Sequence, residues 1–134
     1  METRNAVHNQ TGGFDGMGYL VKGTASGVVK VDAKTDEAIG VTAAESSRGE
    51  DQTLEAAGTG TVAIKPLSGI VYIKFGETLS TLDFGDKIYV DDSVDGHCTH
   101  NLDTSGKHLG YYYGESNISL SSGDLIPVMI GRFA

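Results

Sequence analysis

This sequence predicts an all-β domain, a compact barrel or sandwich of about ten short strands, and three observations carry that prediction. Nineteen glycines stand against two prolines, a composition that favours tight turns over long helices. Short apolar and β-branched runs recur about every ten residues, the rhythm of strand and turn. Only one segment, GETLSTLDFGD, has a helical spacing, with Leu79 and Leu82 three apart.

Taken in order, Met1 to Gly18 is polar and glycine-rich with no periodicity. It predicts a flexible N-terminal arm over residues 1–18, ordered by a neighbour if at all, ahead of a single β-domain over 19–134. YLVKG and GVVKVD read as the first strands, with Val29 and Val31 on one face and Val28 and Lys30 on the other. AIGVTAA, the polar loop ESSRGED and the run QTLEAAG follow. GTGTVAIKP sets Val62 and Ile64 on a shared face, and GIVYIKF alternates Ile70-Tyr72-Lys74 against Val71-Ile73-Phe75. One helical turn is expected between Gly76 and Gly85. GDKIYVD, GHCTHNL, HLGYYYG and LIPVMIG supply the remaining strands.

An internal echo runs through this order. VDAKTDEAIGV, ending in Gly40 and Val41, resembles LDTSGKHLGYY, ending in Gly110 and Tyr111. Each is followed by a loop and another strand, TVAI (Thr61 to Ile64) and PVMI (Pro127 to Ile130). As a duplication, it implies two similar β-meanders sharing one core.

At 134 residues and 14.1 kDa the chain suits one domain, able to bury about two-thirds of its unfolded surface. The net charge of −8 and the lack of a Lys/Arg cluster argue against a nucleic-acid partner. No run approaches the ~20 apolar residues of a membrane helix, and METRNAVHNQTGG has no apolar signal core. A protein made in a cytoplasm and remaining soluble is expected. A single cysteine excludes an internal disulfide and a Cys-pair zinc ribbon.

The densest group of chemically capable residues is DDSVDGHCTHN, Asp91 to Asn101. Asp91 to Gly96 matches the first half of a calcium loop, but position twelve, where a bidentate Glu should close the site, is Leu102. A zinc site would need His97, Cys98 and His100 together with His108, yet strand alternation puts His97 opposite Cys98 and His100. A Cys98 nucleophile lacks a helix N-terminus or basic neighbours to lower its pKa. A hairpin explains every residue: KIYVD going out, DSVDG turning and HCTHN returning, with Cys98 as a small buried side chain. No catalytic residue, cofactor or metal is therefore assigned. Tyr111, Tyr112 and Tyr113 form either a strand with rings on both faces or a stacking platform.

Several motifs together resemble the small β-rich decoration (cement) proteins of tailed-virus capsids. Ile39-Gly40-Val41, then a charged loop, matches an apolar-Gly-apolar element. Gly60-Thr61-Val62 matches a Gly-Thr-Val strand. Gly85-Asp86-Lys87-Ile88-Tyr89-Val90 and Gly96-His97-Cys98-Thr99 match a strand and its hairpin return. Leu109-Gly110-Tyr111 and Val128-Met129-Ile130 would be the closing strands, so the likeness spans residues 19–132. It implies a non-enzymatic virion protein on the exterior of an expanded icosahedral capsid. There it would act as a homotrimer, clamping neighbouring major capsid proteins. In that role the arm from Glu2 to Met17 would be the interface, anchored by Arg4, Val7 and Phe14, with the loop Glu45 to Asp51 facing solvent. Removing residues 2 to 17 is then expected to abolish shell binding and spare the β-fold. The competing expectation is a soluble carbohydrate- or receptor-binding sandwich using Tyr111 to Tyr113.

Overall fold

The computed structural model describes residues 3–91, 93–100 and 107–131. Among them the chain is all-β, with twelve strands in three antiparallel sheets. The strands are β1 (Arg4–Val7), β2 (Leu20–Thr24), β3 (Gly27–Lys30), β4 (Gly40–Thr42), β5 (Thr61–Pro66) and β6 (Ile70–Lys74). They continue as β7 (Leu79–Leu82), β8 (Lys87–Val90), β9 (Cys98–Thr99), β10 (His108–Tyr112), β11 (Ile118–Leu120) and β12 (Leu125–Ile130).

The two large sheets have the same plan. The first runs β1-β5-β4-β2-β3, the second β6-β12-β10-β8-β9. Numbered in chain order within each sheet, leaving out β7 and β11, both orders read first, fifth, fourth, second, third. Each sheet also curls until its outer strands meet at a parallel bridge, His8 to Val28 in one and Phe75 to Cys98 in the other. Loop hydrogen bonds repeat as well. Gly18 N–H donates to Thr42 C=O at 2.9 Å, as Gly85 N–H does to Tyr112 C=O at 2.8 Å. Thr42 N–H bonds Tyr19 C=O at 2.9 Å, and Tyr112 N–H bonds Asp86 C=O at 2.8 Å. The chain is thus two β-units of one topology, residues 3–66 and 70–130.

The echoed glycines are the anchor of this repeat. Gly40 pairs with Pro66, and Gly110 pairs with Ile130. A Cβ on Gly40 would sit 2.8 Å from the Lys65 carbonyl oxygen, and one on Gly110 only 2.0 Å from that of Met129. In both units the neighbouring strand approaches too closely for any side chain. The later part of the echo is shifted: the ladders set Ile64, opposite Thr42, on Val128, opposite Tyr112. The sequence comparison set it on Ile130. A slip of two residues keeps the same face inward, so apolar spacing alone does not detect it.

Alternation separates the two faces of β5 and β6 as expected. Val62 and Ile64 point inward from β5, and Val71 and Ile73 from β6, while Ile70 and Tyr72 are exposed. Phe14, Tyr19, Val21, Val28, Val62 and Ile64 fill the first unit. Leu20, Val31 and Val41, on the opposite face of the first unit, join the second unit's core of Val71, Ile73, Ile88, Val128 and others.

Three expectations are corrected. The segment expected to be a flexible arm is built into the fold from Thr3 onward. β1 pairs with β5 over four residues, His8 and Phe14 are fully buried, and Gly27 on β3 leaves room for the Val7 carbonyl, 2.3 Å from where a Cβ would lie. RNAV hid its strand character because three of its four side chains are exposed. The helical turn between Gly76 and Gly85 is instead β7, paired with β11. A register shift sets three steps of β7 against two of β11, Leu82 on Ile118 and Leu79 on Leu120. That bulge lets leucines three apart both reach the core from a strand. QTLEAAG forms no strand, only a single bridge from Leu54 to Arg48.

Candidate functional site

The hairpin of DDSVDGHCTHN forms as the sequence suggests. β8 pairs with β9, Tyr89 on Thr99 and Val90 on Cys98. Asp91 is buried, and its Oδ1 accepts a 2.7 Å bond from Ser93 N–H, an Asx-type turn. Gly96 has φ +76°, the left-handed region that favours glycine. Asp92, Asn101 and Leu102 lie outside the described residues.

The stretch is occupied with holding the two units together. Leu20 N–H donates to Gly96 C=O at 2.7 Å, and Gly96 N–H donates to Val31 C=O at 2.8 Å. Cys98 is fully buried in the shared core, and burial, reinforced by the Asp91 charge, pushes its thiol pKa up. Such a thiol stays protonated and unreactive. His97 packs edge-on against Tyr19 with Nδ1 2.8 Å from the Asp95 carbonyl, and burial lowers its pKa. His100 Nε2 is 3.9 Å from Asp86, and His108 Nε2 is 2.9 Å from the Gly110 carbonyl. These side chains do not converge. Among the described residues no three of His, Cys, Asp or Glu are grouped to hold a metal ion.

A polar cluster that the sequence reading missed lies at the same junction. The Tyr19 hydroxyl donates to the Asp15 carboxylate. Lys30 Nζ lies 4.1 Å and Lys74 Nζ 5.2 Å from the Tyr19 ring centre. Burial, then the bond to Asp15, raises the Tyr19 phenol to about 12. The bond from Tyr19 is also the main cause of the lowered Asp15 pKa. Lys74 comes from the second unit, so the cluster clamps one unit to the other. Its members are scattered over sixty residues of sequence, and no local motif announces them.

The expected anchors separate. Arg4 and Val7 are exposed on β1, whereas Phe14 is wholly buried, edge-on to His8 and bonded through its N–H to Ser46 Oγ at 2.9 Å. Ser46 is buried too, so the loop Glu45 to Asp51 faces solvent only in part. In the tyrosine run Tyr112 is buried, Tyr111 half-buried and Tyr113 exposed. The Tyr113 ring lies 5.1 Å, centre to centre, from that of the exposed Phe84, tilted at 51°. The described residues form several surface hollows, of which two matter here. A cleft of about 320 Å³ between the units is lined by Glu37, Lys107, His108 and Ile130. A more apolar one of about 420 Å³ opens on the first unit between Arg4, Ala6, Val28, Ile39, Ile64 and Pro66.

No model of a known protein family matches this chain, and no curated protein matches it. No helix among the described residues is long and apolar enough to cross a membrane.

Proposed function

We propose that this chain is a structural virion protein. It binds the outer surface of an expanded icosahedral capsid as a homotrimer and stabilises contacts between major capsid proteins, with no reaction of its own. The observation that carries the reading is the surface. Val7, Ile39, Ile70, Tyr72, Phe84 and Tyr113 are all large apolar side chains left exposed on the β-scaffold. Phe84 and Tyr113 lie ring against ring, and Ile39 opens on an apolar hollow; local apolar patches of this kind mark surfaces that a partner covers. The capsid motifs supply the class of partner. Many weak contacts repeated over a shell stabilise it without tight binding at any one site. The interface moves from a loose arm to the exposed residues of β1, with Arg4 and Val7 retained and Phe14 reassigned to the core.

Co-sedimentation with empty expanded shells assembled without this protein tests the proposal. Saturable binding near one copy per capsid subunit, with a higher shell melting temperature, supports it. Absence of binding removes it.

The exposed, tilted Phe84–Tyr113 pair favours a second reading, a carbohydrate-binding β-module, since exposed aromatic rings offer apolar faces for a sugar to pack on. A glycan array with wild type and Tyr113→Ala tests it. Tyr112 is the wrong residue for that purpose, because it is buried.

A further inference from the structure

The junction between the two units is one-sided, and its unused halves remain on the surface. In the junction the first unit contributes a face and the second a seat. From the face, Gly18 C=O accepts the Lys74 N–H at 2.9 Å, and Leu20 N–H reaches Gly96. Gly18 has φ +95°, and a Cβ there would lie 2.3 Å from Leu125 of the seat. The apolar floor of the seat includes Val71, Ile73, Cys98 and Leu109, all buried in the shared core.

The repeat plan shows where the same face and seat recur. By ladder and loop bonds, Gly18 corresponds to Gly85, Leu20 to Lys87 and Val41 to Tyr111. Gly85 also has a left-handed backbone, φ +89°, but a Cβ there would meet nothing within 4 Å. Beside it lie Phe84, 58% exposed, and Tyr113. So the second unit presents the face with nothing seated on it. On the other side, Val71, Ile73, Cys98 and Leu109 correspond to Arg4, Ala6, Val28 and Ile39. Those four line the 420 Å³ apolar hollow of the first unit. There Ile39 is 55% exposed, where its counterpart Leu109 is 7%. So the first unit presents the seat with no face in it.

We infer that a second copy of this chain docks its Phe84–Gly85–Tyr113 face into the Ala6–Val28–Ile39 hollow of the first, repeating between molecules the junction already made within one. The two surfaces differ, so the contact is heterologous, and copies join head to tail into a ring where the rotation closes. The occupant is fixed by the fold itself: the hollow is the counterpart of a seat that the same chain fills with the counterpart of this face. The inference shares Ile39, Phe84 and Tyr113 with the shell reading and gives its homotrimer a contact, but its test is made on the protein alone in solution, so the two readings fail separately.

Sedimentation velocity over a range of concentrations tests it, with Phe84→Glu altering the face and Ile39→Glu the hollow. Both side chains are exposed, and circular dichroism checks that each variant keeps its fold. Wild type is expected to sediment as one discrete oligomer, and each variant alone as a monomer, with association weakened at least ~10-fold. A 1:1 mixture of the variants is the decisive arm. Ile39→Glu still offers an intact face and Phe84→Glu an intact hollow, so the mixture is expected to form a dimer and nothing larger. A monomeric wild type, an oligomer indifferent to both substitutions, or a mixture that stays monomeric would each overturn the inference. Failure of shell co-sedimentation would leave this result untouched.

Discussion

The first and second β-units share a strand order yet fill their interiors by different means. In the second unit the connections after β6 and after β10 form an extra ladder, β7 on β11, which delivers Leu82 and Leu120 to the core. In the first unit the corresponding connections stay irregular. They meet where Phe14 N–H bonds Ser46 Oγ at 2.9 Å and Ser46 N–H bonds Phe14 C=O at 2.8 Å, and the Phe14 ring fills the interior. One topology therefore accepts either a strand pair or a single aromatic plug at the same place in chain order. What the topology fixes is a hole to be filled.

The largest expected effect breaks this comparison at the plug. Phe14 is fully buried, and Phe14→Ala is expected to cost about 3–5 kcal/mol, with Leu82→Ala costing about 2–5 kcal/mol in the second unit. Urea denaturation measures both. A loss below about 1 kcal/mol for Phe14→Ala would mean that the ring is not a core element. Deletion of residues 2–17 is now expected to unfold the first unit as well as abolish binding, because it removes both β1 and the plug.

The second prediction sharpens the repeat itself. Gly110→Ala and Gly40→Ala both place a methyl against the adjacent strand, 2.0 Å from the Met129 oxygen and 2.8 Å from the Lys65 oxygen respectively. Each is expected to cost about 1–3 kcal/mol as the backbone shifts. Gly110→Ala should be the more damaging, since the obstacle there is backbone at closer range. Equal tolerance at both sites, measured by chemical denaturation, would show that the shared glycines are incidental to the repeat.

How far the sequence revealed this molecule depended on whether a segment has two distinct faces. β5 and β6 alternate between core and solvent, so the shared face of Val62 and Ile64 and that of Val71 and Ile73 were legible from period-two spacing. β1 has little inward side chain of its own and is held by its ladder to β5, a long-range contact that leaves no local trace. β7 carries a bulge, and a bulge turns strand spacing into helix-like spacing. The hairpin of DDSVDGHCTHN was readable because Asp and Gly report turn geometry directly. Its docking through Gly96 was not, because backbone hydrogen bonds between units have no residue signature.

Cys98 gives a third and smaller test. Its counterpart at the parallel bridge of the first unit is Val28, so Cys98→Val is a swap the fold has already made once. The expected cost is below about 1.5 kcal/mol near neutral pH. The pH dependence carries more information. Burial raises the folded thiol pKa, whereas the unfolded thiol ionises near about 8.5. Above that value the unfolded state releases a proton that the folded state keeps, so stability falls as pH rises. Urea midpoints at neutral and alkaline pH should show this decline in wild type and a shallower one in Cys98→Val. Identical alkaline declines would place the thiol in a solvated site. In the folded wild type, Ellman's reagent should react only as fast as the protein unfolds.

The smallest effect is a gain. His8 and Phe75 hold equivalent places at the two parallel bridges, and both are fully buried. His8 Nδ1 accepts a 3.2 Å bond from Gln10 N–H, which leaves the proton on Nε2, and Nε2 has no hydrogen-bond partner. A buried donor without an acceptor costs about 1–3 kcal/mol. The second unit avoids this cost by using a hydrocarbon ring. His8→Leu removes the donor at similar volume and lets the Gln10 N–H, only partly buried, turn to water. Set against the loss of that one bond, the net expectation is a gain of about 1 kcal/mol, or about 3 °C in melting temperature. Scanning calorimetry would read it, and a fall in melting temperature would mean that Nε2 has a partner worth more than its desolvation.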